Sequence, residues 1–130
     1  MQTLALPYFE QADLLSALAD CTQDQLDALG FGVIGFDAAG VVRQYNRFES
    51  AASGLSPQRV LNADLFSTVA PCMNNFMVAQ RFEDAAAAGE ALDDTIAYVL
   101  TLRMRPTRVK LRLLADPART MRYVLVERAV

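Results

Sequence analysis

The chain has 130 residues, of which 53% are hydrophobic and 21% charged, a composition typical of one folded domain rather than a disordered chain. It contains no histidine, and its two cysteines, Cys21 and Cys72, lie far apart. These facts exclude serine–histidine catalysis, a zinc site and a disulfide framework. No apolar run approaches the roughly 20 residues that cross a bilayer, and the N-terminus lacks the basic start of a signal peptide. We therefore expect a cytoplasmic protein with no membrane segment.

Acidic and basic residues are distributed unevenly along the chain. Residues 1–42 carry six acidic residues and no basic one, whereas residues 103–130 carry eight basic residues and two acidic ones. A basic segment is compatible with nucleic-acid binding, but here the basic residues alternate with apolar ones and the isoelectric point is about 4.8. We therefore favour an acidic N-terminal segment that lies against the basic strands of its own chain.

The first thirty residues predict two short helices. Apolar residues recur at helical spacing from Phe9 to Leu18. Thr22 followed by Gln25 is a capping-box signal for the start of the second helix, and Gly30 is expected to end it.

Two strands and several short helical segments follow. The strands are predicted over 31–37 and 41–46, joined as a hairpin by a tight turn. Ser56, which precedes a proline, predicts a short helix over 57–62. A further turn is expected over 63–69, and no strand pattern lies between the hairpin and this turn.

A longer helix and three strands complete the predicted elements. The helix runs over 75–88, with Phe76 and Phe82 on its apolar face and Gly89 at its end. The strands are expected over 94–105, 107–115 and 120–129. In the middle strand, apolar residues alternate with charged ones, so we expect one apolar and one charged face. The charged residues are Arg108, Lys110 and Arg112.

This order of elements predicts an α+β fold with a five-stranded antiparallel sheet flanked by helices. It resembles the topology of PAS domains, in which small helices wrap a pocket against the sheet. We treat 1–130 as a single domain, with an N-terminal helical cap over 1–28 and a core over 29–130.

Three polar side chains have no obvious structural task. Tyr45 ends the second strand, Glu49 comes four residues later, and Cys72 follows Pro71. If the phenol and the carboxyl group face a common pocket, they form a pair that can bind one ligand oxygen, and burial would raise the pKa of Glu49. Taken singly, they are also compatible with a packed ring, a solvated acid and an inert thiol.

The spacing of these residues resembles that of the photoactive yellow proteins, which are blue-light receptors of the PAS fold. The similarity covers about 26–130. The similar stretches are LDALGFGVI at 26–34, QYN at 44–46 with Glu49 and Ser53-Gly54, VAPC at 69–72, Tyr98, the pattern MxPTxVK at 104–110 and the pattern VxVxR at 124–128.

The resemblance implies a covalent p-coumaric acid (4-hydroxycinnamic acid), bound as a thioester to Cys72. Its phenolate would accept hydrogen bonds from Tyr45 and from protonated Glu49, and Ser53 would orient the Tyr45 hydroxyl. The remaining residues implied at the site are Ile34, Leu55, Val69, Ala70, Pro71, Tyr98, Leu100 and Met104.

The resemblance also implies a photocycle. Light would isomerise the chromophore from trans to cis, and Glu49 would pass its proton to the phenolate and become a buried anion without a partner. Release of the cap would then give a signalling state for an unidentified downstream protein, with no metal and no enzymatic turnover. The uneven charge suggests that the cap docks by attraction to the basic strands, so that the lifetime of the light state varies with ionic strength. We expect a monomer or a weak dimer.

Two departures and two alternatives remain open. Leu55 stands where many family members have an arginine, and Leu100 replaces a usual aromatic residue, so colour and recovery rate are not fixed by the resemblance. Cys21 has no counterpart in the family. The alternatives are a chromophore-free PAS module that binds a ligand or a protein, and an enzyme that acts through a thioester on Cys72. The combination of phenol, carboxyl and thiol argues against the first, and the absence of histidine argues against the second.

Overall fold

The computed structural model of the chain describes residues 6–101 and 106–128 and places five strands in one sheet. The strands are β1 (Gly32–Phe36), β2 (Val42–Tyr45), β3 (Leu92–Leu100), β4 (Thr107–Ala115) and β5 (Arg122–Arg128). Their order across the sheet is β2-β1-β5-β4-β3, and every neighbouring pair is antiparallel. The predicted α+β class and the five-stranded antiparallel sheet are confirmed. The last part of the strand expected over 94–105 lies outside the described residues.

Short helices connect and flank the strands. They are α1 (Leu14–Ala19), α2 (Gln23–Asp27), α3 (Arg47–Ser53), α4 (Pro57–Val60) and α5 (Ala79–Ala88), with one π-helical turn at Leu65–Val69 and one 3-10 turn at Pro71–Met73. The predicted capping box is confirmed, because Thr22 and Gln25 each accept a backbone hydrogen bond from the other. The helix α2 ends earlier than Gly30, with Ala28 as its C-cap residue.

Two helices differ from the prediction. The sequence pattern did not predict α3, although Asn46 followed by Glu49 is a capping signal and the Asn46 side chain accepts a hydrogen bond from the Glu49 N–H group. The helix α5 begins later than expected, because the side chain of Asn75 accepts hydrogen bonds from the next backbone N–H groups and forms a turn. Phe76 is therefore 85% exposed rather than part of the apolar face.

The main core lies on the face of the sheet that carries helices α3 to α5. Its strand residues include Ile34 and Phe36 on β1, Leu111 and Leu113 on β4, and Val124 on β5. The cluster continues into the π-helical turn and α5. This core surrounds the residues for which the sequence predicts a binding site.

The opposite face of the sheet is covered by residues 6–28, which we call the cap. A second apolar cluster fills this interface; it consists of Phe9, Leu14, Leu18, Leu26, Leu29, Phe31, Val33, Leu114, Tyr123 and Leu125. The cap also covers Arg112 on the charged face of β4. This residue is only 5% exposed, because its guanidinium group lies beneath the cap. Among the described residues, no ion pair joins an acidic residue of the cap to a basic residue of the C-terminal strands.

Candidate functional site

Tyr45 lies at the end of β2, opposite Ile34 in the register of β1. Its hydroxyl oxygen is 2.7 Å from Ser53 Oγ and donates to the carbonyl oxygen of Leu55 over 3.3 Å. The structure therefore brings together Tyr45 and Ser53, as the resemblance implies. Burial raises the pKa of Tyr45 to about 12, so the hydroxyl group keeps its proton near neutral pH and can act as a donor.

Glu49 lies in the first turn of α3 and is 1% exposed. Asn46, the N-cap residue, fixes its position: the Asn46 Oδ1 atom accepts hydrogen bonds from the N–H groups of Glu49 (3.1 Å) and of Val33 (2.9 Å). Burial raises the pKa of the Glu49 carboxyl group, while hydrogen bonds and positive charge from Arg128 act in the opposite direction.

The partner of Glu49 is Arg128, a residue that the sequence analysis did not assign to the site. Nη1 and Nη2 of Arg128 donate to Oε1 and Oε2 of Glu49 over 2.8 and 3.1 Å. In the ligand-free structure Glu49 therefore has a charged partner, whereas the resemblance implies that its carboxylate lacks one after proton transfer. Sequence pattern could not identify Arg128, because only the pairing of β5 with β1 brings the end of β5 next to α3.

Cys72 lies in the 3-10 turn, where it is half-buried and has a free thiol. Its carbonyl oxygen accepts hydrogen bonds from the Tyr98 hydroxyl group on β3 and from Asn75 Nδ2. Asn75 also donates to the Tyr98 oxygen over 2.6 Å. Hydrogen bonds from Tyr98 on β3 and from Asn75, which precedes α5, thus hold the turn that carries the thiol. Asn75 was not among the predicted site residues.

The other predicted residues mostly lie in the same core. Four of them are buried and belong to the main cluster: Ile34, Val69, Ala70 and Leu100. Three are half-buried and pack against it: Leu55, Cys72 and Tyr98. Pro71 is exposed, and Met104 lies outside the described residues. The structure therefore gathers a thiol, a phenol and apolar walls around one core, with the carboxyl group of Glu49 close enough to raise the pKa of Tyr45.

The described part of the chain contains no group of three residues able to hold a metal ion. No helix within residues 6–101 and 106–128 is long and apolar enough to cross a membrane. The predicted site residues supply one free thiol and buried oxygen groups that take part in hydrogen bonds.

A five-stranded antiparallel sheet with short helices folded over one face is the architecture of a PAS domain. The chain is 36% identical over 105 residues to the photoactive yellow protein of Rhodothalassium salexigens, covering 81% of this chain and 83% of that protein. It is 35% identical over 106 residues to the photoactive yellow protein of Halochromatium salexigens, with 82% and 84% covered. The chain belongs to the photoactive yellow protein family. No family model matches it.

Solved structures agree with this assignment. The photoactive yellow protein domain of the sensor histidine kinase Ppr from Rhodospirillum centenum superimposes with a TM-score of 0.80 at 33% identity, covering 87% of this chain and 98% of that domain. The PAS domain of the quorum-sensing receptor RpfR from Cronobacter turicensis has a TM-score of 0.59 at 13% identity, covering 77% and 94%. The second similarity shows the shared fold alone.

Proposed function

We propose that the protein is a blue-light photoreceptor that carries p-coumaric acid as a thioester on Cys72. The observation that carries the proposal is a phenol and a free thiol at one core, with a buried carboxyl group near the phenol. Tyr45 belongs to that core, Cys72 packs against it, and Glu49 is close enough to raise the pKa of Tyr45. A thiol for acylation and two buried groups for a phenolate fit the residue types that this ligand needs.

Cys72 would attach the ligand: its sulfur forms the thioester bond, and the activating group of the acyl donor leaves together with the thiol proton. Tyr98 and Asn75 support this role, because their hydrogen bonds to the Cys72 carbonyl oxygen hold the attachment turn in place. Tyr45 and Glu49 would hold the ring oxygen. Both must be protonated to donate hydrogen bonds, and burial favours the protonated form of each.

When bound, the group supplies visible absorption and a light-driven trans–cis isomerisation. Glu49 would then give its proton to the ring oxygen and leave a carboxylate inside the protein. Arg128 can compensate part of this charge, but a buried ion pair still carries a desolvation cost, and a few kcal/mol is a large part of the roughly 5–15 kcal/mol that stabilises a domain. Asn46 connects this event to the cap, since its Nδ2 atom donates to the carbonyl oxygens of Leu26 and Phe31 over 2.9 Å each.

The response would be a loosened cap, detected by a downstream signalling protein. The similar domain from Rhodospirillum centenum is part of a sensor histidine kinase, which supports a signalling role for the present chain. The cycle returns the protein to its starting state without converting a substrate, so we do not expect an enzyme.

An absorption spectrum tests this proposal directly. The purified chain is incubated with activated p-coumaric acid, alongside Cys72→Ala and the matched control Cys21→Ala. We expect a visible band in the wild type and in the Cys21 variant that survives denaturing gel separation, bleaches in blue light and recovers in the dark. The band should be missing from Cys72→Ala. A colourless wild type would overturn the proposal and favour a PAS module that binds a different ligand or a protein.

A further inference from the structure

The pair formed by Glu49 and Arg128 is more buried than the other ion pairs among the described residues. The side chains are 2% and 17% exposed, respectively, whereas each other pair has at least one side chain that is 27% exposed or more. Both carboxylate oxygens are bound, in the parallel two-bond geometry that arginine forms with carboxylates. Solvent therefore screens the attraction only weakly.

The backbone of β1 fixes the position of this carboxylate. Gly32 lies directly beneath it: a Cβ atom at this position would lie 2.0 Å from Glu49 Oε1. A side chain other than hydrogen would therefore push the carboxylate away from its place. Glu49 is held between the β1 backbone on one side and the Arg128 guanidinium group on the other.

Few other charged groups are near this pair. On β2 the titratable neighbour is Tyr45. The helix α2 packs against α3 and contributes Asp27, whose carboxylate accepts the Arg47 N–H group over 2.7 Å. Glu127 on β5 points to the opposite face of the sheet, because neighbouring side chains of a strand alternate. Among the described residues, Arg128 is the cation that acts on the pKa of Glu49.

We propose that Arg128 is a positioning residue that keeps Glu49 ionised whenever no phenolate faces it. This inference rests on the proposed function only for the loaded protein. On loading, Glu49 takes up the proton that the ring hydroxyl gives up, so that the site holds one negative charge beside Arg128 before and after. When Glu49 returns the proton in the light, Arg128 is again available as its counterion.

The test uses the full chain without chromophore, labelled with ¹³C at the glutamate carboxyl groups. The Glu49 signal is assigned from its loss in Glu49→Gln and is followed against pH by NMR. We expect an ionised Glu49 at neutral pH in the wild type. In Arg128→Gln the acid ionisation constant of Glu49 should fall at least tenfold. In Arg128→Lys it should fall less, because lysine keeps the charge but not the paired hydrogen bonds. The control Arg47→Gln removes an exposed arginine from α3, the helix that carries Glu49. In this variant Glu49 should titrate as it does in the wild type.

Several outcomes would overturn the inference. One is a protonated Glu49 in the wild type at neutral pH, and another is an unchanged titration in Arg128→Gln. If circular dichroism shows that Arg128→Gln does not fold, Arg128→Lys decides: a twofold or larger fall in the ionisation constant supports the inference, and no fall overturns it. Failure of the wild type to become coloured would refute the proposed photoreceptor but would leave this titration in the ligand-free protein valid.

Discussion

Arg112 on β4 donates a hydrogen bond from Nη1 to the carbonyl oxygen of Phe9 over 2.8 Å. The same nitrogen also donates to the carbonyl oxygen of Gln11 over 2.7 Å, and the other two guanidinium nitrogens bind both oxygens of Asp93 at 2.8 Å. One side chain thus connects the start of the cap to β3 and β4. The basic strand β4 and the cap therefore meet through two backbone carbonyl oxygens, and the charge of Glu10 in the cap also acts on Arg112.

Replacing this arginine should loosen the cap. Arg112→Gln removes the paired hydrogen bonds to Asp93 and the hydrogen bonds to the two cap carbonyl oxygens. For a buried charged group, this loss lowers the free energy of unfolding by about 2–4 kcal/mol. We expect faster amide hydrogen exchange within residues 6–28 and a lower free energy of unfolding in urea. Arg108→Gln, an exposed position on the same strand, is the matched control and should change neither quantity by more than about 0.5 kcal/mol.

The cap should respond only weakly to salt. Salt screens exposed charges, but this cap is held by an apolar cluster and by the shielded Arg112 side chain, which is 5% exposed. We expect amide exchange within residues 6–28 to change less between low and high salt than between wild type and Arg112→Gln. A salt effect as large as that of the substitution would support docking by attraction between acidic cap residues and the basic strands.

Gly32 offers a steric test of the site. Gly32→Ala would place a methyl group 2.0 Å from Glu49 Oε1, so the carboxylate must move and its bonds to Arg128 must lengthen. We expect a loss of stability of about 1–3 kcal/mol and an altered Glu49 titration by carboxyl NMR. Gly30→Ala is the control, because a Cβ atom there meets nothing within 4 Å. Equal effects of the two substitutions would show that the close approach at Gly32 is unimportant.

The sequence predicted most of the sheet, and what it did not predict has physical causes. Alternation and turn residues are local signals, so the strands were predictable within a few residues of their ends. Alternation placed Arg112 on the charged face of its strand, but no local pattern encodes the hydrogen bonds that this side chain forms with the cap more than 100 residues away. Arg128 was missed for a related reason: its contact with Glu49 joins residues 79 positions apart, and no local pattern encodes such a pair. The helix α3, in contrast, has a local signal, because Asn46 caps it through the N–H group of Glu49.

The Tyr45 hydroxyl should stabilise a bound phenolate. In Tyr45→Phe one hydrogen-bond donor is lost, and bonds to charged groups contribute about 1.5–3 kcal/mol, which corresponds to roughly one to two pKa units. We expect the visible band of the loaded protein to bleach in acid at a pH higher by about that amount. The control is Tyr123→Phe, which removes a hydroxyl that donates to Gln44 over 2.6 Å in a residue of the second cluster. An unchanged bleaching pH in Tyr45→Phe would exclude this tyrosine as a donor to the ring oxygen.

The pH dependence of stability should report the burial of Glu49. Burial raises its pKa in the folded chain above the unfolded value of about 4.3, so between these values the folded state binds more protons than the unfolded state. The contribution of Glu49 to stability is then fully present below the unfolded pKa and is lost as pH rises through the folded pKa. Urea unfolding of the ligand-free chain between about pH 4 and 8 measures it, as the difference in free energy between wild type and Glu49→Gln.

The difference in unfolding free energy between wild type and Glu49→Gln should fall with rising pH. In an Arg128→Gln background it should keep falling to a higher pH, because the positive charge that lowers the pKa of Glu49 is then absent. Glu49→Gln supplies the reference because glutamine keeps the shape of the side chain without its titration. A difference that rises with pH would mean that Arg128 outweighs burial and lowers the folded pKa of Glu49 below its unfolded value. In that case the Arg128→Gln background should reverse the slope, since burial alone would then act on the carboxyl group.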